Sequence, residues 1–422
     1  MSVLFFLTFN IVYNIFHSCY TYIITNKGEY VLHMNDFIYS NNTQLVYGKG
    51  IENNIGSQLK GLGATNVLIV YGKNSVIASG LLGRVQKSLT ASGLKYVDFG
   101  GVSANPHKSH MYEGIKVAKD NKVDFVLGVG GGSVLDEAKA IAIGAVNPEV
   151  WVYFEDNSIP LHKALPIGAM LTLPATGSEN STATVIRDEV SGLKYSLNHD
   201  LMRPVIAWIN PELMFTLPKV QIANGASDML AHMLERYFSP QNDVRATDHL
   251  LKGGIQAVFE IAPKLYNDNH NYQLWSEFCL MGTMAHNGML SLGRTEQDWG
   301  THNIENLYIS GVYNIAHGTG LAITFTAWLK YMSNKRPSKI LQFCKEVMEV
   351  TGANDQEIMK NGIEKLVKFY KSLDLPVSLS DINIDYKKVN EMVLKQFDKN
   401  SKVGAYGLMN SDDMCAIFEL AK

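Results

Sequence analysis

Short runs of β-branched and apolar residues, each bounded by Gly or Asn, recur along the first half of the chain. They are Gln44 to Tyr47, Asn66 to Tyr71, Tyr96 to Phe99, Val123 to Val129 and Ile167 to Leu173. Runs of this length and composition predict buried strands. Between them, apolar positions recur at helical spacing over Ser75 to Ser92, His107 to Asn121 and Ser133 to Ile143. That alternation predicts a parallel sheet with helices on both faces. Three more strand-like pieces, Thr184 to Asp188, Lys194 to Asn198 and Val205 to Ile209, extend or flank the same domain. From Thr216 the pattern changes. Thr216-Leu217-Pro218 is a helix-start signal, and helical spacing dominates from there almost to Lys422. The expected fold is an α/β N-terminal domain with a mostly parallel sheet, residues 34–213, followed by an all-helical C-terminal domain, residues 214–422. The boundary falls near Asn210 to Pro218, and no internal repeat or low-complexity segment interrupts either half.

Composition narrows the function classes. The 422 residues carry 37 Lys+Arg against 40 Asp+Glu, a formal charge of −3, which is no footprint for nucleic acid. With 46% apolar residues the chain can build large cores, so disordered and fibrous architectures are excluded. Cys19, Cys279, Cys344 and Cys415 form no CxxC pair and no zinc-type spacing. They read as reduced thiols of a cytoplasmic protein.

The first thirty-three residues differ from the rest: from Met1 to Asn26 there is no Lys, Arg, Asp or Glu, and Phe, Ile, Leu and Tyr are dense. No basic residue precedes the apolar run and no A-x-A-like site comes after it, which argues against a signal peptide. Thr8, Asn10, Asn14, His17 and Ser18 interrupt it, which argues against a spanning helix. The expectation is a translated upstream leader, with Met34 opening the body of the protein; the alternative is an imperfect span of about 20 residues that would attach the chain to a membrane.

Two places carry candidate chemistry. The run Val123 to Val129 leads into Gly128-Val129-Gly130-Gly131-Gly132-Ser133, and a helical stretch with Asp136 and Lys139 comes next. Glycines let backbone amides approach a pyrophosphate at the positive end of a helix. Packing alone also produces glycine-rich turns. The loop is no ordinary dinucleotide fingerprint, because three strand candidates precede it and the nearest acid about twenty residues on, Glu149, sits in a turn. Further along, Asp228 and His232 are four apart and share a helical face. Alone they read equally as an ion pair or a satisfied core histidine. His302 and His317, fifteen positions apart around Ser310-Gly311, supply partners. Three imidazoles and a carboxylate suit Fe(II) or Zn(II) rather than Mg or Ca, and such an ion would polarise a carbonyl oxygen. His199, His249 and His286 are treated as structural or surface residues.

GGGSVLDEAK, LTLPATGSENS, INPELMFTLPKVQIANGASDMLAHMLERYFS and the His302 to His317 segment, in this order, resemble the iron-containing alcohol dehydrogenase family, nearest its butanol dehydrogenase-like branch. The resemblance covers Met34 to Lys422. It implies a nucleotide-binding α/β domain, a helical domain and a catalytic metal in the cleft between. It further implies that Gly130, Gly131, Gly132 and Ser133 hold a cofactor pyrophosphate, with Asp136 nearby. Thr172, Thr176, Gly177 and Ser178 would form the second cofactor segment, and Asp228, His232, His302 and His317 the metal ligands. The reaction would be hydride transfer between NADP(H) and a small primary alcohol or aldehyde, in a homodimer. After Asn66 to Tyr71 the turn Gly72-Lys73-Asn74-Ser75 lacks the acid that NAD-preferring folds place on the ribose 2′-hydroxyl. Gly72 leaves room, and Lys73, Asn74 and Ser75 are placed to meet a 2′-phosphate, so NADP(H) is expected over NAD(H).

One departure stands out. Close relatives carry a second histidine four residues after the first ligand of this segment and reach the last ligand fourteen residues after that first one. Here Asn306 takes that position and His302 to His317 spans fifteen, so a residue has been added near Asn306-Leu307. An imidazole there is a natural proton relay, which an amide cannot be. A bulge that absorbs the insertion would keep the metal site and leave proton transfer to water. The alternatives are a glycerol dehydrogenase-like polyol oxidoreductase and a catalytically weak descendant kept for binding or assembly.

Expressed from Met34, the protein should match the long form in solubility and specific activity. Recovery of the native protein in the membrane fraction with Met1 to His33 retained would refute the leader.

Overall fold

The computed structural model describes residues 34–422 except 241–243, 295 and 399, together with a two-residue strand pair, Ile23–Ile24 with Tyr30–Val31. Apart from that pair, the expected leader lies outside the described residues. The chain then forms β1 (Gln44–Tyr47), β2 (Asn66–Gly72), β3 (Lys95–Val102), β4 (Phe125–Gly130), β5 (Ile167–Leu171), β6 (Ala183–Arg187), β7 (Lys194–Asn198) and β8 (Ile206–Ile209). Six of these make one parallel sheet in the order β1-β8-β5-β4-β2-β3. Every residue of β4 and β5 is buried, which is why their sequences are unbroken apolar runs.

Side-chain alternation divides the strands between two cores. Val67 and Ile69 of β2 pack with Ile55 and Leu59 of α1 (Ile55–Gly61) and Val85 and Leu89 of α2 (Leu81–Ala91). Leu68 and Val70 face the other way, onto Met111 and Ile115 of α3 (Lys108–Asp120) and Ala138 and Ile141 of α4 (Gly132–Gly144).

The structure departs from the sequence reading at one point. Ser75 to Ser92 is not one helix: Gly80, at φ 69, breaks it into Ser75–Ala78 and α2. Of the two placements left open for β6 and β7, they flank the domain and do not extend its sheet. A turn closed between Asp188 and Leu193 folds them into an antiparallel hairpin, since so short a connection cannot make the crossover that parallel pairing needs. A β-bridge, His107 to Arg187, and hydrogen bonds from Val185 and Thr184 to Asp136 tie this hairpin to the α/β half.

Beyond Ile209 the longer elements are helices, including α5 (Lys219–Tyr237), α6 (Arg245–Asn267), α7 (Tyr272–His286), α8 (Gly300–Glu305) and α9 (His317–Lys335). From Ile222 to Tyr237 every residue of α5 is buried. Helix α9 starts against it at very short range. A Cβ on Gly318 would lie 2.2 Å from the Asn224 carbonyl oxygen, and the Ser227 hydroxyl donates to the Gly318 carbonyl at 2.6 Å. That contact sets His317 beside Asp228.

Gly318→Ala should therefore destabilise the protein by about 2–3 kcal/mol, because backbone rather than a movable side chain must give way. Gly83→Ala is the control: nothing lies within 4 Å of its Cβ. It should be neutral or stabilise by about 0.5–1 kcal/mol, as helix propensity dictates. Denaturant unfolding midpoints decide both.

Candidate active site

The sheet order reverses between β2 and β4: the chain leaves β2 toward β3 on one side and leaves β4 toward β5 on the other. Such a switch point opens a crevice at the carboxyl ends of the two strands, where ligands of open α/β sheets sit. Gly72 ends β2 and Gly130 ends β4, so both sequence-predicted cofactor turns flank this crevice. Gly131 precedes the first residue of α4, with Gly132 and Ser133 in its first turn.

The segments 130–133 and 172–178 pack directly on each other. A Cβ on Gly132 would lie 2.5 Å from the Thr176 hydroxyl, and one on Gly177, at φ 65, would lie 2.8 Å from the His286 Cβ. Thr172 donates its backbone N–H to the Gly130 carbonyl at 3.0 Å. Asp136 binds the assembly from below: its carboxylate accepts from the Ser178 hydroxyl at 2.6 Å and from the Val185 amide at 3.0 Å. Burial raises the pKa of Asp136, against the opposing pull of Lys139. Both its oxygens are thus engaged in holding the second segment and the hairpin.

Across the crevice, α5 carries Asp228 and His232, α8 carries His302, and α9 opens with His317. Three Nε2 atoms surround one carboxylate oxygen, Asp228 Oδ1: His232 at 3.6 Å, His302 at 3.9 Å and His317 at 3.8 Å. The donor atoms of Asp228, His302 and His317 all lie within 4.8 Å of one another. Asp228 Oδ1 and His302 Nε2 are buried with no hydrogen-bond partner. These separations exceed a hydrogen bond and approach the edge of a ligand tetrahedron around zinc or iron, about 3.3 Å for bonds near 2.0 Å.

Buried carboxylates aim the rings. Glu235 accepts from His302 Nδ1 at 3.0 Å and Glu305 accepts from His317 Nδ1, which leaves each Nε2 facing Asp228. Burial alone would lower the pKa of His302, but the negative charge of nearby Asp228 and the Glu235 carboxylate that accepts from its Nδ1 outweigh it and hold the ring up to about 9. His232 moves the other way, pushed well down by burial and by the neighbouring imidazoles of His286, His302 and His317.

A cavity of about 620 Å³ joins the two halves of the site. Gly132, Ser133, Asp136, Thr176 and Ser178 line one side, and Asp228, His232, His302, Asn306 and His317 the other. Gly72, Lys73, Asn74, Ser75, Gly130, Gly131, Thr172 and Gly177 are not among its lining residues. Sequence reasoning missed several that are: Lys194, Arg203, Arg236, Trp299 and His286. His286 was set aside as structural or surface, yet it lies in the wall with its ring 4.2 Å from that of His232. Its signal was its place one residue before Asn287-Gly288, at the end of a helix that packs on α5.

The model of the iron-containing alcohol dehydrogenases matches residues 42–211, and that of the family's C-terminal part matches residues 222–422. The chain belongs to the iron-containing alcohol dehydrogenase family. It is 37% identical over 389 residues to the probable NADH-dependent butanol dehydrogenase 1 of Bacillus subtilis, covering 92% of this chain and 99% of that one. It is 32% identical to the NADPH-dependent aldehyde reductase YqhD of Escherichia coli, over 88% of this chain and 97% of the other. The crystal structure of NADH-dependent butanol dehydrogenase A from Thermotoga maritima matches with a TM-score of 0.86 at 35% identity, covering 92% and 99% of the two chains.

In this family member the segment between His302 and His317 contains a π-helical turn, Asn306–Ser310. A π turn holds one more residue than an α turn, so a residue added here would leave the register of the downstream chain intact. Closure is tight, with a Cβ on Gly311 only 2.3 Å from the Asn306 carbonyl oxygen.

Anaerobic loading should give close to one Fe or Zn per chain, lost in Asp228→Ala and in His232→Ala. Deletion of Leu307 should preserve that content, because an α turn then replaces the π turn. Metal must displace the His302 proton below pH about 9. Apparent affinity should therefore rise by up to about tenfold per pH unit toward that value and level off above it, which calorimetry in buffers of different ionisation heat would read as proton release.

Proposed function

We propose that this enzyme interconverts small aldehydes and primary alcohols using NADP(H), with Fe(II) or Zn(II) held by Asp228, His232, His302 and His317. The observation that carries the reading is the gathering of three imidazole Nε2 atoms around the buried, unpartnered Asp228 Oδ1, in the wall of a cavity whose other wall includes Gly132 and Ser133 at the end of the glycine loop. A bound divalent ion of this kind polarises a carbonyl oxygen and stabilises an alkoxide. The chain's own residues do the rest. The amides of Gly130 to Ser133 at the start of α4 receive a pyrophosphate, Thr172 to Ser178 bracket the cofactor, and Asp136 keeps that bracket in place. Glu235 and Glu305 keep the imidazoles oriented before substrate arrives.

The NADP(H) preference rests on the carboxyl end of β2. Lys73, Asn74 and Ser75 are exposed there, and no carboxylate occupies Gly72 to Ser75. Among the described residues Cys279, Cys344 and Cys415 are unpaired, which favours a reducing, cytoplasmic setting. Among the described residues no helix is long and apolar enough to cross a membrane. Leu45 and Tyr47 are partly exposed on the edge strand β1, which is consistent with a homodimer that covers them.

A Cβ on Gly72 would meet only Val102 O at 3.8 Å and Val134 Cγ2 at 3.9 Å, so a carboxylate fits. Wild-type protein should show a higher kcat/KM with NADPH than with NADH, and Gly72→Asp should reverse the order. Equal efficiency of the unmodified enzyme with both would refute the preference. Butanal reduction exceeding glycerol oxidation separates this reading from a polyol oxidoreductase.

A further inference from the structure

We propose that Lys194 delivers the proton to the substrate oxygen when an aldehyde is reduced in this cavity, and that Asn306 and Ser310 hold its ammonium in position. The proposal rests on the aldehyde-reductase function proposed for this site. Lys194 comes from the hairpin strand β7 and lines the cavity that Asp228, His302 and His317 share. Its Nζ donates to Asn306 Oδ1 at 3.1 Å and to Ser310 Oγ at 2.9 Å, the two ends of the π turn. Ser310 Oγ donates in turn to Glu305 Oε2 at 3.1 Å, and Glu305 accepts from His317 Nδ1. The turn that absorbs the added residue is thus also the clamp on the lysine. Two of the three ammonium hydrogens are taken, which leaves one for a substrate oxygen or an intervening water.

The other protic groups of the wall are poorly suited. His232, His302 and His317 direct Nε2 at Asp228, and His286 spends Nδ1 on the Thr176 carbonyl at 3.0 Å. Asp136 accepts at both oxygens. The guanidiniums of Arg187, Arg203 and Arg236 do not release protons. Burial lowers the pKa of Lys194 and Arg187 lowers it further, while Glu305 and Asp228 oppose them. An ammonium made more acidic than usual gives up its proton more readily.

The step balances. Hydride from the reduced nicotinamide forms the new C–H bond, the carbonyl electron pair moves to oxygen, and the Lys194 N–H bond breaks as the O–H bond forms. The amine then regains a proton from solvent. In total, aldehyde, NAD(P)H and one proton give alcohol and NAD(P)⁺.

The test uses the metal-loaded enzyme with butanal, together with competitive acetylation of the protein by acetic anhydride across pH, read by peptide mass spectrometry. Lys194 should titrate below exposed Lys73 and Lys387, and Ser310→Ala should move it. Wild-type kcat for reduction should fall at high pH. Lys194→Met should lower kcat by about 10²-fold and lose that alkaline limb, with the NADPH dissociation constant from fluorescence changed no more than about threefold. Lys194→Arg keeps the charge and the clamp, so it should fold and bind NADPH yet also lose the limb. Deleting Leu307 with Asn306→His in the Lys194→Met background should restore turnover, with a limb in the histidine range. Retention of turnover and limb in Lys194→Met and Lys194→Arg would overturn the proposal. So would loss of NADPH binding with kcat unchanged at saturation, or a Lys194 that labels like a surface lysine. Failure of the wild-type enzyme to reduce butanal with either cofactor would instead overturn the proposed function, and with it this proposal.

Discussion

Three imidazoles turned toward one buried carboxylate oxygen is the arrangement on which the rest of the helical half depends. Asp228 is 3% exposed and its Oδ1 has no hydrogen-bond partner, a costly condition for a buried carboxylate that the surrounding imidazoles only partly offset. The rings come from three helices, so the helices must approach closely. The absence of a side chain at Gly318 permits that approach, and the Ser227 hydroxyl locks it. Glu235 and Glu305, both fully buried, are there to orient His302 and His317. Their remaining oxygens, Glu235 Oε2 and Glu305 Oε1, are also without partners, so electrostatic cost is spread over the whole cluster rather than held at one residue.

The π turn resolves a conflict between chain length and geometry. An extra residue inside an α-helix rotates everything after it by about 100°. Between Asn306 and Ser310 the rotation is absorbed locally, and His317 still faces Asp228. The same wide turn sets Asn306 and Ser310 where both reach Lys194, which joins the β6–β7 hairpin to the helical half across the crevice. The π turn, a break in helical periodicity along the chain, is therefore a contact-forming feature in three dimensions.

On the α/β side the governing constraint is backbone proximity at the switch point. The glycine loop and the 172–178 segment interlock because Gly132 and Gly177 leave space for Thr176 and for His286. His286 belongs to α7, so the 172–178 segment and the imidazole wall are in direct contact through one helix. Asp136 extends this coupling to the hairpin that carries Lys194, through the Val185 amide.

Local periodicity and spacing were enough to read part of this architecture along the chain. Buried strands announced themselves as unbroken apolar runs, so β4 and β5 were legible, as was the change to helical spacing before α5. The i,i+4 pair Asp228 and His232 was legible because helix geometry alone puts both on one face. Tertiary structure decided the features that local pattern does not encode. Gly80 breaks a helix whose amphipathic pattern runs straight through it, because a left-handed residue is invisible to periodicity. The β6–β7 hairpin leaves the sheet because a short turn joins its strands, while β8, equally strand-like, enters the sheet between β1 and β5. Lys194 and His286 carried no motif. They reach the cavity only because a hairpin and a helix far apart in sequence converge on the same crevice, and that convergence is a property of packing.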